Sequence, residues 1–521
     1  MTLDRTTTPP VGTFPPLSLP APGIHALSNG IEIIACNRGD EDVCRIDLMF
    51  EGGYYTEQKP GTAALTLLML KEGAAGKSSE EIAESFDYHG AWLQTSASSH
   101  YLYVTLYTLN RHLDTCLSLL ADIVIRPDFP EKEFTRLKER RLQQLLVQKE
   151  KVDVLASETF LSMIFGDKHP YGRAVTPDHI NHITTEDLRD YHRQHIAPGK
   201  CRIFIAGKIT GKLLDNLELH FGHTWNVPSV DSAIIPAFPI HRAENPIIVT
   251  HKENALQSGI RMGLPVIGRE NPDFFALKLL CTILGGYFGS RLMSNIREEK
   301  GYTYGISSSI AAMRYGSYLT ISTQTGTEFT RPLIDEVFVE IDRLRNEPVP
   351  TDEFITVQNY LRGDMARTLD SPFSIADYYL SLKANDLPVE YFAQQDEAIR
   401  QLSPGDLLSA AQKYLVPSQF YIAVAGDRNG ELDAVVVAEA VEPIQEVVRR
   451  LIAVAADDLE EVVDEDVGNI VIAGIQTADE AAQALVSGDL IFVGRNETNV
   501  IMDVEGHRGL GLDAHHIAVF L

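Results

Sequence analysis

Residues 295–305 read NIREEKGYTYG and follow an apolar run with a glycine-rich turn, LLCTILGGYFGSRLM, from Leu279 to Met293. Arg297 offers a fixed cationic fork, and Tyr304, seven positions on, offers a phenolic donor. Such a pair can hydrogen-bond a peptide carbonyl and stabilise an oxyanion. The plain alternative is a surface arginine and a packed tyrosine. Gly285, Gly286 and Gly289 flank a helix-to-helix turn. As a phosphate loop they fail, because no strand precedes them and no lysine follows at the required spacing. They read instead as a tight turn that lets the following helix approach a cleft. Gly285, Gly286 and Tyr302 are therefore placed on the substrate-binding wall beside Arg297 and Tyr304, with a structural role favoured for Tyr302.

Working outward, the chain repeats itself. Phe129-Pro-Glu-Lys-Glu-Phe134 recurs 220 residues later as Val349-Pro-Thr-Asp-Glu-Phe354. Asp187-Leu188 recurs as Asp406-Leu407, Pro198 as Pro417, and the apolar segment CRIFIAG ending at Gly207 as FYIAVAG ending at Gly426. Several matches at nearly one offset imply two homologous halves. Each half reads as α+β. GIEIIACN, CRIDLMFEGGYY, YLYVTLYTL and GSYLTISTQTG have strand composition and partial alternation. ALTLLMLKEG, LDTCLSLLADIVI, EKEFTRLKERRLQQLLVQKEKV, NPDFFALKLLCTILGG and RPLIDEVFVEIDRLRN carry helical spacing. Ser79, before Glu80 and Glu81, reads as the N-cap of a further helix.

The boundaries follow from composition. Residues 1–22 form a proline-rich arm that suits a polyproline II strand lying on the folded body. The first half spans 23–225, a proline-rich linker 226–246 and the second half 247–429. Residues 430–521 differ from both. From 431 onward there are nineteen Asp and Glu against four Arg and no Lys, yet the apolar content is too high for a disordered acidic tail. EPIQEVVRRLIAVAADDLEEVV has amphipathic helical spacing, and NIVIAG, DEAAQALVSG, DLIFVGR, NVIMDVEG and HHIAVFL read as β, α, β, β, β. This is a small acidic α/β appendage.

The Arg-Glu-Glu-Lys-Gly-Tyr-Thr-Tyr pattern and the repeat resemble the insulinase-like (pitrilysin, M16) zinc peptidases over roughly residues 20–428. The resemblance implies two homologous α/β domains facing each other, each a mixed sheet with helices on one face. It also implies that Arg297 and Tyr304 grip substrate over a metal. The family's zinc motif, roughly G-x-x-H-x-x-E-H-x-x-x-x-G, belongs in the first half. There this chain reads Gly61-TAALTLLMLKE-Gly73, with Ala64 and Leu68 at the two histidine positions and Leu67 at the catalytic glutamate. Counting back from His169-Pro-Tyr-Gly172 puts the family's third ligand near Leu155, with Glu158 the nearest carboxylate. Catalytic zinc needs about three N, O or S ligands and a base for its water, which alanine and leucine cannot supply. No other H-x-x-E-H occurs in the chain. Zinc is therefore expected in a partner subunit and no cofactor in this chain. The chain resembles the non-metal subunit of a heterodimeric peptidase acting on peptides. A non-enzymatic scaffold or peptide-binding protein, perhaps paired with itself, is the competing reading. The apolar helix around Leu65, Leu67, Leu68 and Leu70 is expected to be buried.

A length of 521 residues suggests several domains, and the net charge of −27 disfavours nucleic acid or anionic membrane as partner. The N-terminal stretch lacks the apolar core of a secretory signal or a membrane span. Five scattered cysteines without C-x-x-C spacing suggest buried free thiols and a cytoplasmic setting. The pairs His179/His182, His192/His195 and His220/His223 read as surface histidines rather than metal ligands, and the tail's His507, His515 and His516 are left unexplained, with a terminal metal site the minor alternative.

Overall fold

The central strands of the first sheet, EIIACN and VCRIDLMFE, are buried almost continuously, so both faces of the sheet are covered. The computed structural model describes residues 6, 15–225, 237–427, 491–495 and 498–502. The first half opens with β1 (Gly23–Ala26), β2 (Glu32–Asn37), β3 (Val43–Glu51) and α1 (Thr62–Met69). A small ribbon of β4 (Gly73–Ala74) and β5 (Lys77–Ser78) leads into α2 (Ser79–Tyr88). Then come β6 (Trp92–Ala97), β7 (Tyr101–Leu109), α3 (Leu113–Ile125), α4 (Glu131–Lys149) and α5 (Val152–Phe165). The half ends with α6 (Pro177–Asn181), α7 (Thr185–His195), β8 (Cys201–Gly207) and α8 (Gly211–Leu217). The second half runs β9 (Ile247–His251), β10 (Gln257–Val266), α9 (Phe274–Cys281), β11 (Thr303–Met313), β12 (Gly316–Gly326), α10 (Thr330–Asn346), α11 (Thr351–Arg367), α12 (Pro372–Ala384), α13 (Tyr391–Gln401), α14 (Pro404–Tyr414) and β13 (Tyr421–Gly426).

The two sheets share one topology. The first is ordered β1-β2-β8-β3-β7-β6 and the second β9-β13-β10-β12-β11. In each, the last strand of the half lies parallel to an early strand (β8 to β2, β13 to β9) and antiparallel to the long central one (β8 to β3, β13 to β10). The repeated aspartates have a local cause. Asp187 and Asp406 sit at the third helical position of α7 and α14, each closing a reciprocal cap with Thr184 and Ser403. The cap expected at Ser79 is formed one residue earlier. Ser78 accepts from the Glu81 N–H at 3.3 Å, and the Glu81 carboxylate accepts from the Ser78 N–H at 2.8 Å.

Helices cover one face of each sheet, and the opposite face receives a helix from the other half. Helix α5 leaves its own half and lies on β10 and β13, where Phe160, Met163, Ile164 and Phe165 cluster with Ala423. Its approach requires glycine on β10. A Cβ at Gly259 would stand 2.5 Å from the Val152 carbonyl oxygen; one at Gly263 would stand 2.0 Å from the Leu319 carbonyl oxygen of β12 as well as 2.9 Å from Cζ of Phe160. The equivalent helix of the repeat, α12, makes the reverse crossing. Its Ile375, Ala376, Tyr379 and Leu382 pack on Ile34, Cys36, Met49, Phe204 and Ala206 of the first sheet. There Arg45, buried and paired with Asp47 at 2.8 Å, reaches Asp377 of α12 at 2.6 Å. The described part of the arm adds a strap. The Leu17 N–H donates to Asp396, the Pro15 carbonyl accepts from Arg362 and the Pro20 carbonyl from the Tyr379 hydroxyl.

All five cysteines are buried and unpaired. The chain divides into compact units at Gly426/Asp427. In the second unit β14 (Ile491–Arg495) and β15 (Thr498–Met502), within the expected DLIFVGR and NVIMDVEG strands, form an antiparallel hairpin. The other expected tail elements, with His507, His515 and His516, lie outside the described residues, as does most of the linker.

Candidate substrate-binding site

Helix α9 runs into a π-helical turn, Thr282–Gly286, whose backbone presses on β11. Gly285 makes that contact possible. A Cβ there would lie 2.6 Å from the Ser308 nitrogen and 2.9 Å from its Oγ. The Ser308 hydroxyl closes the joint by donating to the Cys281 carbonyl at 2.6 Å. Gly285 is buried under β11 and Gly286 lies at the exposed end of the turn. A second π-helical segment, Met293–Glu299, carries Arg297. It is held from both sides. The Asn295 amide donates to Glu336 and Glu340 of α10 at 3.0 and 2.7 Å, and Arg291 grips Glu353 of α11 with two bonds of 3.0 and 2.8 Å.

On this frame the Arg297 Nε donates to the Tyr304 carbonyl at 3.0 Å. Its guanidinium stands 4.8 Å from the centroid of the Phe288 ring and 5.8 Å from that of Tyr304, so two aromatic rings hold the cation. Glu298 lies 3.6 Å away. The β11–β12 register shifts between Thr303 and Ile306, a bulge of the kind that re-aims a side chain. Tyr304 sits in it and is 94% exposed. Tyr302 does the opposite. Its ring stacks on Phe329 at 5.0 Å, its N–H donates to the Ile296 carbonyl and its carbonyl accepts from the Thr325 hydroxyl. It is a structural residue of the wall. An open groove of about 680 Å³ runs beside Tyr304, over Arg261, Gln257, Ser322 and Gln324.

In the first half, Ala64 and Leu68 are half-buried, one turn apart on α1, and Leu67 is fully buried. The expected burial of this helix holds: Leu65, Leu67 and Leu70 are fully buried and only Ala64 and Leu68 are partly exposed. These side chains carry no atom that can ligate a metal, so the motif region does not fit zinc. Leu155 stands on α5, which lies against β10 and β13, whereas α1 is packed by α4 and α7. Glu158 is paired with Lys149. Among the described residues no group of three His, Cys, Asp or Glu side chains is arranged to hold a metal ion.

Two histidines depart from the surface reading. His192 is bonded to the Val124 carbonyl at 2.8 Å, and burial holds His195, beside the Glu51 carbonyl, down to about 4. Both side chains point inward from α7. His220 and His223 face Asp114 and Glu218, His182 faces Asp178, and His179 completes a helix cap. Phe288 and Arg261 escaped the sequence reading. The only hint of the first was an aromatic residue inside a glycine-rich turn, and of the second a lone cation in an apolar strand. Glu57 also escaped it. This buried carboxylate accepts from the Gly61 and Ala63 N–H groups at 2.9 and 3.0 Å and anchors the start of α1.

The fold and site define a two-repeat α/β chain that keeps an arginine–tyrosine wall and has no ligand set at the metal-motif position. Residues 33–177 match the model described as "Insulinase (Peptidase family M16)", and residues 182–361 match "Peptidase M16 inactive domain". Together these cover more than half of the chain, and the chain belongs to the M16 family. An "Uncharacterized zinc protease YmxG" of Bacillus subtilis is 22% identical over 67% of this chain and 84% of its own length. A "Non-peptidase homolog YmxG" of Helicobacter pylori is 24% identical over 65% and 80%. Among solved structures, an M16 inactive domain from Pseudomonas fluorescens matches with a TM-score of 0.68 at 24% identity, covering 78% of this chain and 98% of that one. A protease from Helicobacter pylori matches with a TM-score of 0.70 at 18% identity, covering 78% and 100%. No helix among the described residues is long and apolar enough to cross a membrane.

Proposed function

We propose that this chain is the non-catalytic subunit of a two-subunit M16 peptidase. It supplies Arg297 and Tyr304 to the active site of a zinc-bearing relative that hydrolyses peptides. The observation that carries this reading is the pair itself. Tyr304 is turned out of the sheet by a bulge and almost wholly exposed, and the Arg297 side chain is held by the Tyr304 carbonyl between two rings. Neither arrangement contributes to the core, and both cost exposed aromatic surface. Preorganised donors of this kind stabilise charge that develops on a carbonyl oxygen during hydrolysis. The Tyr304 hydroxyl and the terminal guanidinium nitrogens of Arg297, one of them 3.6 Å from Glu298, would bind that oxygen. The loss of ligating atoms at Ala64, Leu67 and Leu68 supports a supporting role for this chain.

The test is the activity of the complex purified from its own host. Arg297→Ala or Tyr304→Phe should leave folding and partner binding intact and lower kcat by roughly 10²–10³-fold, the usual cost of one oxyanion donor. Full kcat in both variants would refute the assignment. So would native mass spectrometry showing no zinc-bearing relative bound to the chain.

A further inference from the structure

The groove beside Tyr304 contains a cation that the oxyanion role does not use. Arg261 projects from β10, opposite Ser322 of β12, on the side of the second sheet that faces away from α10; this is the side on which α5 crosses Gly259 and Gly263, and Arg261 lines the groove beside that helix. Ser258 marks the other side by its bond with Thr330 of α10. Arg261 is half-buried, and its one close bond, 3.2 Å, goes to the carbonyl of its own neighbour Ile260. Among the described residues it makes no ion pair within 4 Å, and no Asp or Glu lines the groove itself; Glu150, Asp153 and Glu328 line the adjoining cavity that shares Gln257 and Gln324. Asp153 of α5 acts on it only from beyond that range. Burial pulls this guanidinium below its ordinary value. A desolvated cation without a counter-ion is unfavourable unless something supplies the negative charge. The remaining lining suits an extended chain, since Gln257, Gln324 and Ser322 offer neutral donors and acceptors along the strands.

The geometry points to Arg261 as a specificity-determining residue that takes a carboxylate of the bound peptide, so that the groove selects acidic peptides. This rests on the peptide-binding reading above and names the substrate class for that site. The carboxylate can come from a Glu or Asp side chain or from a peptide C-terminus, and either fits a guanidinium fork.

The experiment uses the purified full chain and three short fluorescent peptides, read by anisotropy. One carries a central Glu with both ends blocked, one a central Gln with both ends blocked, and one a central Gln with a free C-terminus. At least one carboxylate peptide should bind roughly ten-fold or more tightly than the blocked Gln peptide, as expected for a charge-assisted bond. Which peptide gains identifies the source of the carboxylate. Arg261→Gln should abolish the preference, and Arg261→Lys should keep part of it and control for folding. Equal affinities, absent binding up to millimolar peptide, or an undiminished preference in Arg261→Gln would overturn the inference. Failure here leaves the kcat test of Arg297 and Tyr304 standing. Conversely, a carboxylate preference persisting when those variants show full kcat would remove the two-subunit reading alone.

Discussion

Glu57 makes the stability of this chain depend on pH in an unusual direction. Its side chain is 1% exposed, with Arg173 at 3.5 Å as its nearest cation. Two backbone N–H bonds and Arg173 favour the charged form, but burial outweighs them and pushes the carboxyl from 4.5 up to about 7. A folded-state value above the unfolded one means that the folded protein holds the proton more tightly. The associated stability is fully present below about pH 4.5 and is lost as pH rises through about 7. At 1.36 kcal/mol per pH unit, that span corresponds to roughly 3 kcal/mol. The assay is thermal and urea unfolding of the wild type and Glu57→Gln between pH 5 and 8. The variant cannot ionise, so the wild type should lose about 2.5 kcal/mol relative to it across the window. For one cooperative unit of this size that is a melting shift on the order of 3 °C. Parallel profiles would refute the reasoning. A wild type that gains on the variant with rising pH would show that the amides and Arg173 win over burial.

Other outcomes follow from the same geometry. Metal analysis of the purified chain should find no zinc bound at Ala64–Leu68 and no peptide cleavage by the chain alone. Near one tightly bound zinc per chain with chelator-sensitive proteolysis would overturn this. Gly285→Ala should destabilise by about 1–3 kcal/mol in thermal unfolding, because its Cβ would collide with the Ser308 backbone. Phe160→Ala should cost about 3–5 kcal/mol and raise amide exchange in β10 and β13 of the opposite half.

The repeat was legible because its markers are local. Asp187 and Asp406 close helix caps, and the segments ending at Gly207 and Gly426 are the strands β8 and β13. Arg297 and Tyr304 were legible as a spacing, but the bulge that exposes Tyr304 depends on strand register, which short-range pattern does not encode. The crossing of α5 and α12 was hidden for a related reason. Periodicity reports that a helix has a buried face and not which sheet buries it. The residues that betray the crossing, Gly259 and Gly263, read as weak points of a strand until Val152 and Phe160 are placed above them. His192 and His195 misled because their charged neighbours suggested an exposed helix, while both rings face inward to backbone carbonyls.

The exchange of α5 and α12 gives the chain the architecture of a domain-swapped dimer whose two copies have been joined end to end. Each half alone would leave the apolar inner face of its sheet bare and carry a helix with nothing to lie on. Neither half is then an independent folding unit, although each has its own sheet and its own helical layer. If the chain is cut in the linker, the two fragments should behave as obligate complements, each insoluble alone and folding only when mixed. The sequence repeat thus marks two halves that each complete the other's core.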